Sequence, residues 1–393
     1  MTVFREGGIA KLDFEYVPPR LPHREGYVSQ ILTFLRRVMV HEPGSTSARV
    51  LIVGRSGTGK TVTARRVEEE LLREASSEGL DLKCVHVNCR MMGSEHALIQ
   101  SILRASAPEL PLRGYSPLEL LNALRDYLED RDRYLLVVLD ELDHFVRLRG
   151  EDVLYDFTRV MDARAGPQRM SFIFIARSEA FMEELSPATL SRFRPQLRFR
   201  FKPYTAEELF DILSERVEEA FIEGAVSEEV VRFIAYNAAE FGYGDARYAI
   251  QLLLVSGLAA DRDGSREVLP EHVREAQEAT DPRVREEDIM SLSRDGKALL
   301  LAVSRALMER RDVAYVSLRE VMESYAVVCE EYGLKPVEEP LMAEILRELE
   351  LAGLVSHTRE GLVGVPGIKV RVLERAVSTI LGGGGTGRQG LLG

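Results

Sequence analysis

Apolar and polar positions divide the chain into three stretches of different rhythm. From residue 50 to about 201, short continuous apolar runs alternate with longer segments of helical spacing; the runs are 50–53, 83–87, 134–139, 171–175 and 197–201. A continuous run of that length fits a strand buried on both faces. Strands alternating with helices predict an α/β unit, a parallel sheet with helices on both faces. After Lys202-Pro203-Tyr204 the strands stop. Residues 206–221, 227–240, 245–260 and 270–278 read as four helices, with Asp245 as the N-cap of the third. Farther on, three helices at about 293–309, 317–332 and 340–352 precede two β-like segments, 354–357 and 368–372, joined by a glycine-containing turn. Three helices followed by a hairpin are the pattern of a winged helix. The expected domains are residues 1–203 (a lead-in and the α/β core), 204–282 (a small helical domain) and 288–380 (the winged helix). The glycine-rich residues 381–393 are expected to form a flexible tail.

The first apolar run ends in chemistry. Gly54-Arg55-Ser56-Gly57-Thr58-Gly59-Lys60-Thr61 fits G-x-x-x-x-G-K-[ST] without a mismatch, between the predicted strand and a helical pattern that begins near Val62. In that context glycines let backbone N–H groups turn toward phosphate oxygens, helped by the positive end of the helix. Lys60 is placed to reach the β and γ phosphates, and the Thr61 hydroxyl to bind Mg²⁺. The third run ends in Asp140-Glu141. An acid at the carboxyl end of a central strand can reach the metal of a bound nucleotide, and its neighbour can polarise a water. Asp140 is therefore the second metal candidate and Glu141 the general-base candidate. Bound ATP or ADP with Mg²⁺ is the expected cofactor.

Composition narrows the class. The chain has 393 residues, enough for two or three domains, with 45% hydrophobic and 29% charged residues. No apolar run reaches the ~18 residues of a membrane span, and no basic segment followed by an apolar one opens the sequence. A cytoplasmic protein without membrane contact is expected. Cys84, Cys89 and Cys329 have neither disulfide nor zinc spacing. Net charge is −12, from 51 basic and 63 acidic residues, which argues against nucleic-acid binding through overall charge and leaves room only for a local basic surface.

Taken in order, these motifs resemble those of archaeal replication initiators, AAA+ proteins related to the eukaryotic origin recognition complex and its helicase-loading partner. The likeness runs from about residue 12 to 375. Tyr16-Val17-Pro18-Pro19-Arg20-Leu21-Pro22-His23-Arg24-Glu25 looks like the family's amino-terminal box, whose residues line the adenine. Val87-Asn88-Cys89 and Arg113-Gly114-Tyr115-Ser116 match segments flanking its helical insertion. Leu139-Asp140-Glu141-Leu142-Asp143 matches its acidic strand end, and Gly244-Asp245-Ala246-Arg247 its sensor-2 motif. The resemblance implies a P-loop AAA+ core, a helical lid and a winged helix. It implies nucleotide contacts from Val17, Pro18, Pro22, His23, Arg24, residues 55–62 (Arg55 through Val62), Tyr204 and Arg247. Arg247 would point a permanent cation at the γ phosphate. Implied partners are origin DNA, the replicative helicase or other initiator subunits, with an oligomer on DNA and a chromosome-associated location.

Two departures bear on mechanism. Where relatives carry a polar Asn at the sensor-1 position, Ile173-Phe174-Ile175 runs into Ala176-Arg177-Ser178, which puts Arg177 in that place. Arginine can bind the γ phosphate but cannot accept a hydrogen bond from water, so slow hydrolysis is expected. Arg192 and Arg194 are candidates for a trans-acting arginine or for structural cations at the sheet edge. The third helix of the winged helix carries Glu344, Glu348 and Glu350 against Arg347, a poor match to phosphate. DNA contact is therefore expected from the wing, through Arg359, Lys369 and Arg371, and from the insertion, through Arg104 and Arg113. The acidic helix also fits a different reading, a nucleotide-gated protein adaptor or mobile-element ATPase with little origin binding.

Overall fold

Five apolar runs form one parallel sheet because each crosses it once and little water reaches either face. The computed structural model describes residues 2–162, 166–280, 286–310, 312–358 and 360–382, so most of the expected tail, 381–393, lies outside the described residues. Its strands are β1 (Arg49–Gly54), β2 (Leu82–Asn88), β3 (Tyr134–Asp140), β4 (Met170–Ala176) and β5 (Leu197–Phe201). They lie in the order β2-β3-β4-β1-β5, every pairing parallel. β3 is buried along its whole length. Its Leu135, Val137 and Leu139 enter one core with Phe172 and Phe174, while Leu136 and Val138 enter the opposite core with Val50, Ile52 and Ile173. Because β3, β4 and β1 are neighbours, Asp140-Glu141, Arg177 and the glycine loop share one rim of the sheet, the rim where such folds bind ligands.

The chain divides into two compact units: residues 17–204, and a second unit made of the residues up to 16 together with those from 205 onward. In the second unit, lid helices run over Ala206–Ala220, Glu228–Glu240, Ala246–Arg262 and Pro270–Thr280. The first opens on a reciprocal cap between Thr205 and Glu208. Asp245 caps the third, accepting from the backbone N–H groups of Arg247 and Tyr248. The amino-terminal residues strap across this unit: Val3 N–H donates to Asp261, and the rings of Phe4 and Phe221 sit 4.7 Å apart. Gly257 admits the Phe4 ring, since a Cβ there would meet it at 2.4 Å.

The winged helix consists of helices Arg294–Glu309, Leu318–Tyr332 and Glu339–Leu351 with strands β6 (Tyr315–Val316), β7 (Ser356–His357) and β8 (Val363–Gly364). The strands are antiparallel in the order β6-β8-β7. One expectation is corrected. The second wing strand lies at Val363–Gly364, and the segment expected to form it, 368–372, instead leads into a helix, Val370–Leu381. Ile368-Lys369-Val370-Arg371-Val372 alternates like a strand, but Val370, Leu373 and Val377 recur at helical spacing and share a core with Leu299 and Val303. The helical period places Val370, Leu373 and Val377 together in that core. Among the described residues no helix is long and apolar enough to cross a membrane.

Candidate nucleotide site

The glycine loop takes the conformation its sequence allows. Gly57 and Gly59 both have positive φ, and a Cβ on Gly59 would lie 2.4 Å from the Tyr204 hydroxyl. The helix Lys60–Ser77 follows directly. Thr58 is buried and donates to the Arg55 carbonyl at 2.9 Å, while Arg55 and Ser56 are exposed. Val62 is half-buried. The Lys60 ammonium lies back along the loop, donating to the carbonyls of Gly54 (2.6 Å) and Arg55 (2.7 Å).

Thr61 and Asp140, distant in sequence, meet: the Thr61 hydroxyl donates to Asp140 Oδ2 at 2.6 Å. Burial works against the Asp140 charge, yet contacts from His86 and Thr61 outweigh it and hold the carboxyl below its usual range. A hydroxyl beside an ionised carboxylate is a hard oxygen pair of the kind that holds Mg²⁺, so these residues fit the ion. Glu141 follows in a left-handed conformation (φ 55°), and its N–H donates to Asp140 Oδ1 at 2.8 Å. That turn separates the two carboxylates. Glu141 Oε2 lies 3.7 Å from Arg177 and 3.5 Å from Arg90. Arg177, just past the end of β4, is thus beside the base candidate as well as on the rim.

His86 escapes a reading from motifs. It sits on β2, with Nδ1 2.8 Å from Glu68 and Nε2 3.5 Å from Asp140. Burial lowers its proton affinity, but the Asp140 and Glu68 carboxylates more than compensate and raise its pKa to about 9. The available signal was a polar residue inside the apolar run Cys84-Val85-His86-Val87, on the strand paired with β3. Burial pushes the Cys84 and Cys89 thiols up, which keeps them protonated and unreactive.

The amino-terminal box forms one wall. Pro18 is buried, Val17 and Pro22 half-buried, and His23 exposed with φ 63°. Arg24 is buried and gives its donors to backbone: Nε to the Thr58 carbonyl at 3.0 Å, Nη1 to that of His23 and Nη2 to that of Lys202, both at 2.9 Å. Its guanidinium also stacks 3.9 Å from the Tyr204 ring centroid. One side chain therefore braces the box, the glycine loop and the strand exit that carries Tyr204.

Other expected residues lie elsewhere. Arg247 is exposed near the start of its lid helix in the second unit. Arg104 and Arg113 are exposed on and after the helix Glu95–Ser106. Arg359 falls outside the described residues. Lys369 and Arg371 stand at the start of the last helix and not on the wing, and Lys369 pairs with Glu275 at 2.6 Å. Arg192 lies over the Tyr155 ring at 5.4 Å.

Comparison with known proteins finds the same succession of domains. Residues 44–182 match the AAA domain model, 210–278 the Cdc6 AAA+ ATPase-type lid domain, and 287–364 the CDC6 C-terminal winged helix domain. The ORC1-type DNA replication protein 2 of Sulfurisphaera tokodaii is 34% identical over 368 residues, covering 92% of this chain and 87% of that one. Cdc6p from Pyrobaculum aerophilum superposes with a TM-score of 0.83 at 29% identity, covering 98% and 100% of the two chains. The Aeropyrum pernix ORC1 protein in complex with DNA superposes at 0.62 with 32% identity, covering 94% and 96%. A P-loop AAA+ core, a lid and a winged helix in this order, with relatives this similar over nearly their full length, mean that the chain is an AAA+ ATPase and belongs to the ORC1/Cdc6-type family of DNA replication initiators.

Proposed function

We propose that the protein is an ATP-switched initiator that binds duplex DNA at an origin and helps recruit the replicative helicase. The observation that carries the nucleotide half is the 2.6 Å contact between Thr61 and Asp140, which joins the glycine loop's helix to the acidic strand end. Mg²⁺ would be held by those two residues and would neutralise phosphate charge. Lys60 would exchange its carbonyl partners for the β and γ phosphates. Val17, Pro18, Pro22, His23 and Tyr204 would frame the adenine, with Arg24 bracing them, and Arg247 would report the γ phosphate to the lid. Glu141 would orient a water. Its neighbour Arg177 competes for the same carboxylate, which supports slow hydrolysis and a switch in place of a rapid engine.

The DNA half rests on the winged helix and on the DNA complex of the Aeropyrum pernix relative. Contacts are assigned to Arg359, which lies outside the described residues, to Arg371, and to Arg104 and Arg113 on the insertion. Lys369 would contribute only by leaving Glu275. Binding to duplex DNA across a salt series, with ATP and with ADP, tests the reading. The expected result is affinity that falls linearly in log–log form, with a slope of about −0.9 per phosphate contacted, and that differs between the two nucleotides. No binding at low salt would favour the adaptor reading. One observation speaks for that alternative: the helix Glu339–Leu351 exposes Glu344 and Glu348 and leaves Leu351 90% exposed.

A further inference from the structure

The lid and the winged helix lie in one compact unit, and a buried cation joins them. Arg274, on the last lid helix, is only 2% exposed. Its Nε donates to the Val365 carbonyl at 2.8 Å and its Nη2 to the Ala314 carbonyl at 2.9 Å. These carbonyls sit one residue past β8 and one before β6, two strands that pair with each other. Glu271, one helical turn earlier, holds the guanidinium at 3.2 Å and accepts from the Val370 N–H at 2.8 Å. Gln277 accepts from the Gly367 N–H at 3.0 Å. From a second lid helix, the Tyr236 hydroxyl donates to the His357 carbonyl at 2.8 Å, at the end of β7. Every strand of the wing sheet is thus tied at an end to a lid side chain. A planar fork satisfying two carbonyls in a dry site fixes orientation as well as distance, because tilting either partner strands a buried charge.

We propose that the lid and winged helix are a single mechanical body, with Arg274 as the positioning residue that makes the wing follow the lid. Resting on the switch reading above, it adds the route by which nucleotide state reaches DNA: the lid's displacement is delivered to the wing through these side-chain contacts. Arg274 touches neither ligand and acts only through the β6 and β8 ends. By linkage, the same coupling lets bound DNA alter nucleotide affinity by an equal factor.

Pairs of spin labels on the full chain test this, introduced as unnatural amino acids at exposed positions. Labels at Glu218 on the lid and Glu348 on the winged helix report the body itself; labels at Glu78 and Glu218 report lid movement. The expected Glu218–Glu348 distance distribution is narrow and the same with ADP and with a non-hydrolysable ATP analogue. In Arg274→Lys, which keeps the charge but loses the fork, and in Tyr236→Phe, which removes one hydroxyl, that distribution broadens. Alongside, the ratio of DNA affinities in the two nucleotide states falls toward one while nucleotide affinity is retained. A wild-type Glu218–Glu348 distribution that is broad or moves with nucleotide overturns the proposal. So does an unaltered affinity ratio in a variant whose distribution has broadened. An unchanged Glu78–Glu218 distance would instead sink the switch reading, leaving the single body to be judged on the Glu218–Glu348 pair.

Discussion

Glu141 lies between two arginines, and under the proposed function this pairing slows turnover. Arg177 and Arg90 lie 3.7 and 3.5 Å from Glu141 Oε2, so two cations compete with water for that oxygen. Arg177→Asn removes one competitor and supplies an acceptor, so single-turnover hydrolysis should rise about tenfold, the effect of ~1.4 kcal/mol; an unchanged or lower rate would place the constraint elsewhere. Glu141→Gln should leave ATP affinity intact and cut hydrolysis by about 10² or more, the usual scale of a general base. Equal turnover in that variant would mean that another group handles the water. At this scale the glycine loop and Asp140-Glu141 were legible in the chain because their chemistry needs fixed residue types at fixed spacing. Two features were not. The His86 contact with Asp140 depends on the pairing of β2 with β3, which no local spacing encodes. Arg24 reads as a ligand contact, whereas its donors go to three carbonyls that only folding brings together.

Among the elements, the five core strands were read to within a residue at each end, because continuous apolar runs between polar turns admit few alternatives. The last wing strand was misplaced because residues 368–372 carry both periods, and only the residues beyond them decide between strand and helix. The error matters for DNA: it moves Lys369 and Arg371 off the wing and gives Lys369 a partner, Glu275. Hydrogen bonding from Arg262 and the Lys369 pairing draw the Glu275 carboxyl down to about 2. The group is depressed relative to an unfolded value near ~4.3, so its stabilising contribution is full above that value and fades as pH falls toward 2. Glu275→Gln should therefore melt at lower temperature than the wild type at pH 7, with the gap closing as the pH approaches 2. Thermal scans that show the same gap at both ends would mean that the pairing contributes nothing to folding.

For the whole molecule, sequence order alone gave the succession of core, lid and winged helix. It gave no sign that the first sixteen residues belong with the lid, since Phe4 and Phe221 meet only after folding. Nor did it show the buried Arg274 that ties lid to wing. Every step of the proposed function, from DNA to helicase, rests on the proposal that Lys60, Thr61 and Asp140 hold a nucleotide. Calorimetric titration with ATP and Mg²⁺ is the most direct test. The wild type should bind one nucleotide per chain, and Lys60→Ala, losing a charge-assisted contact worth ~1.5–3 kcal/mol, should bind roughly 10- to 100-fold more weakly. Equal affinity in the two proteins, or no uptake by the wild type, would contradict the account.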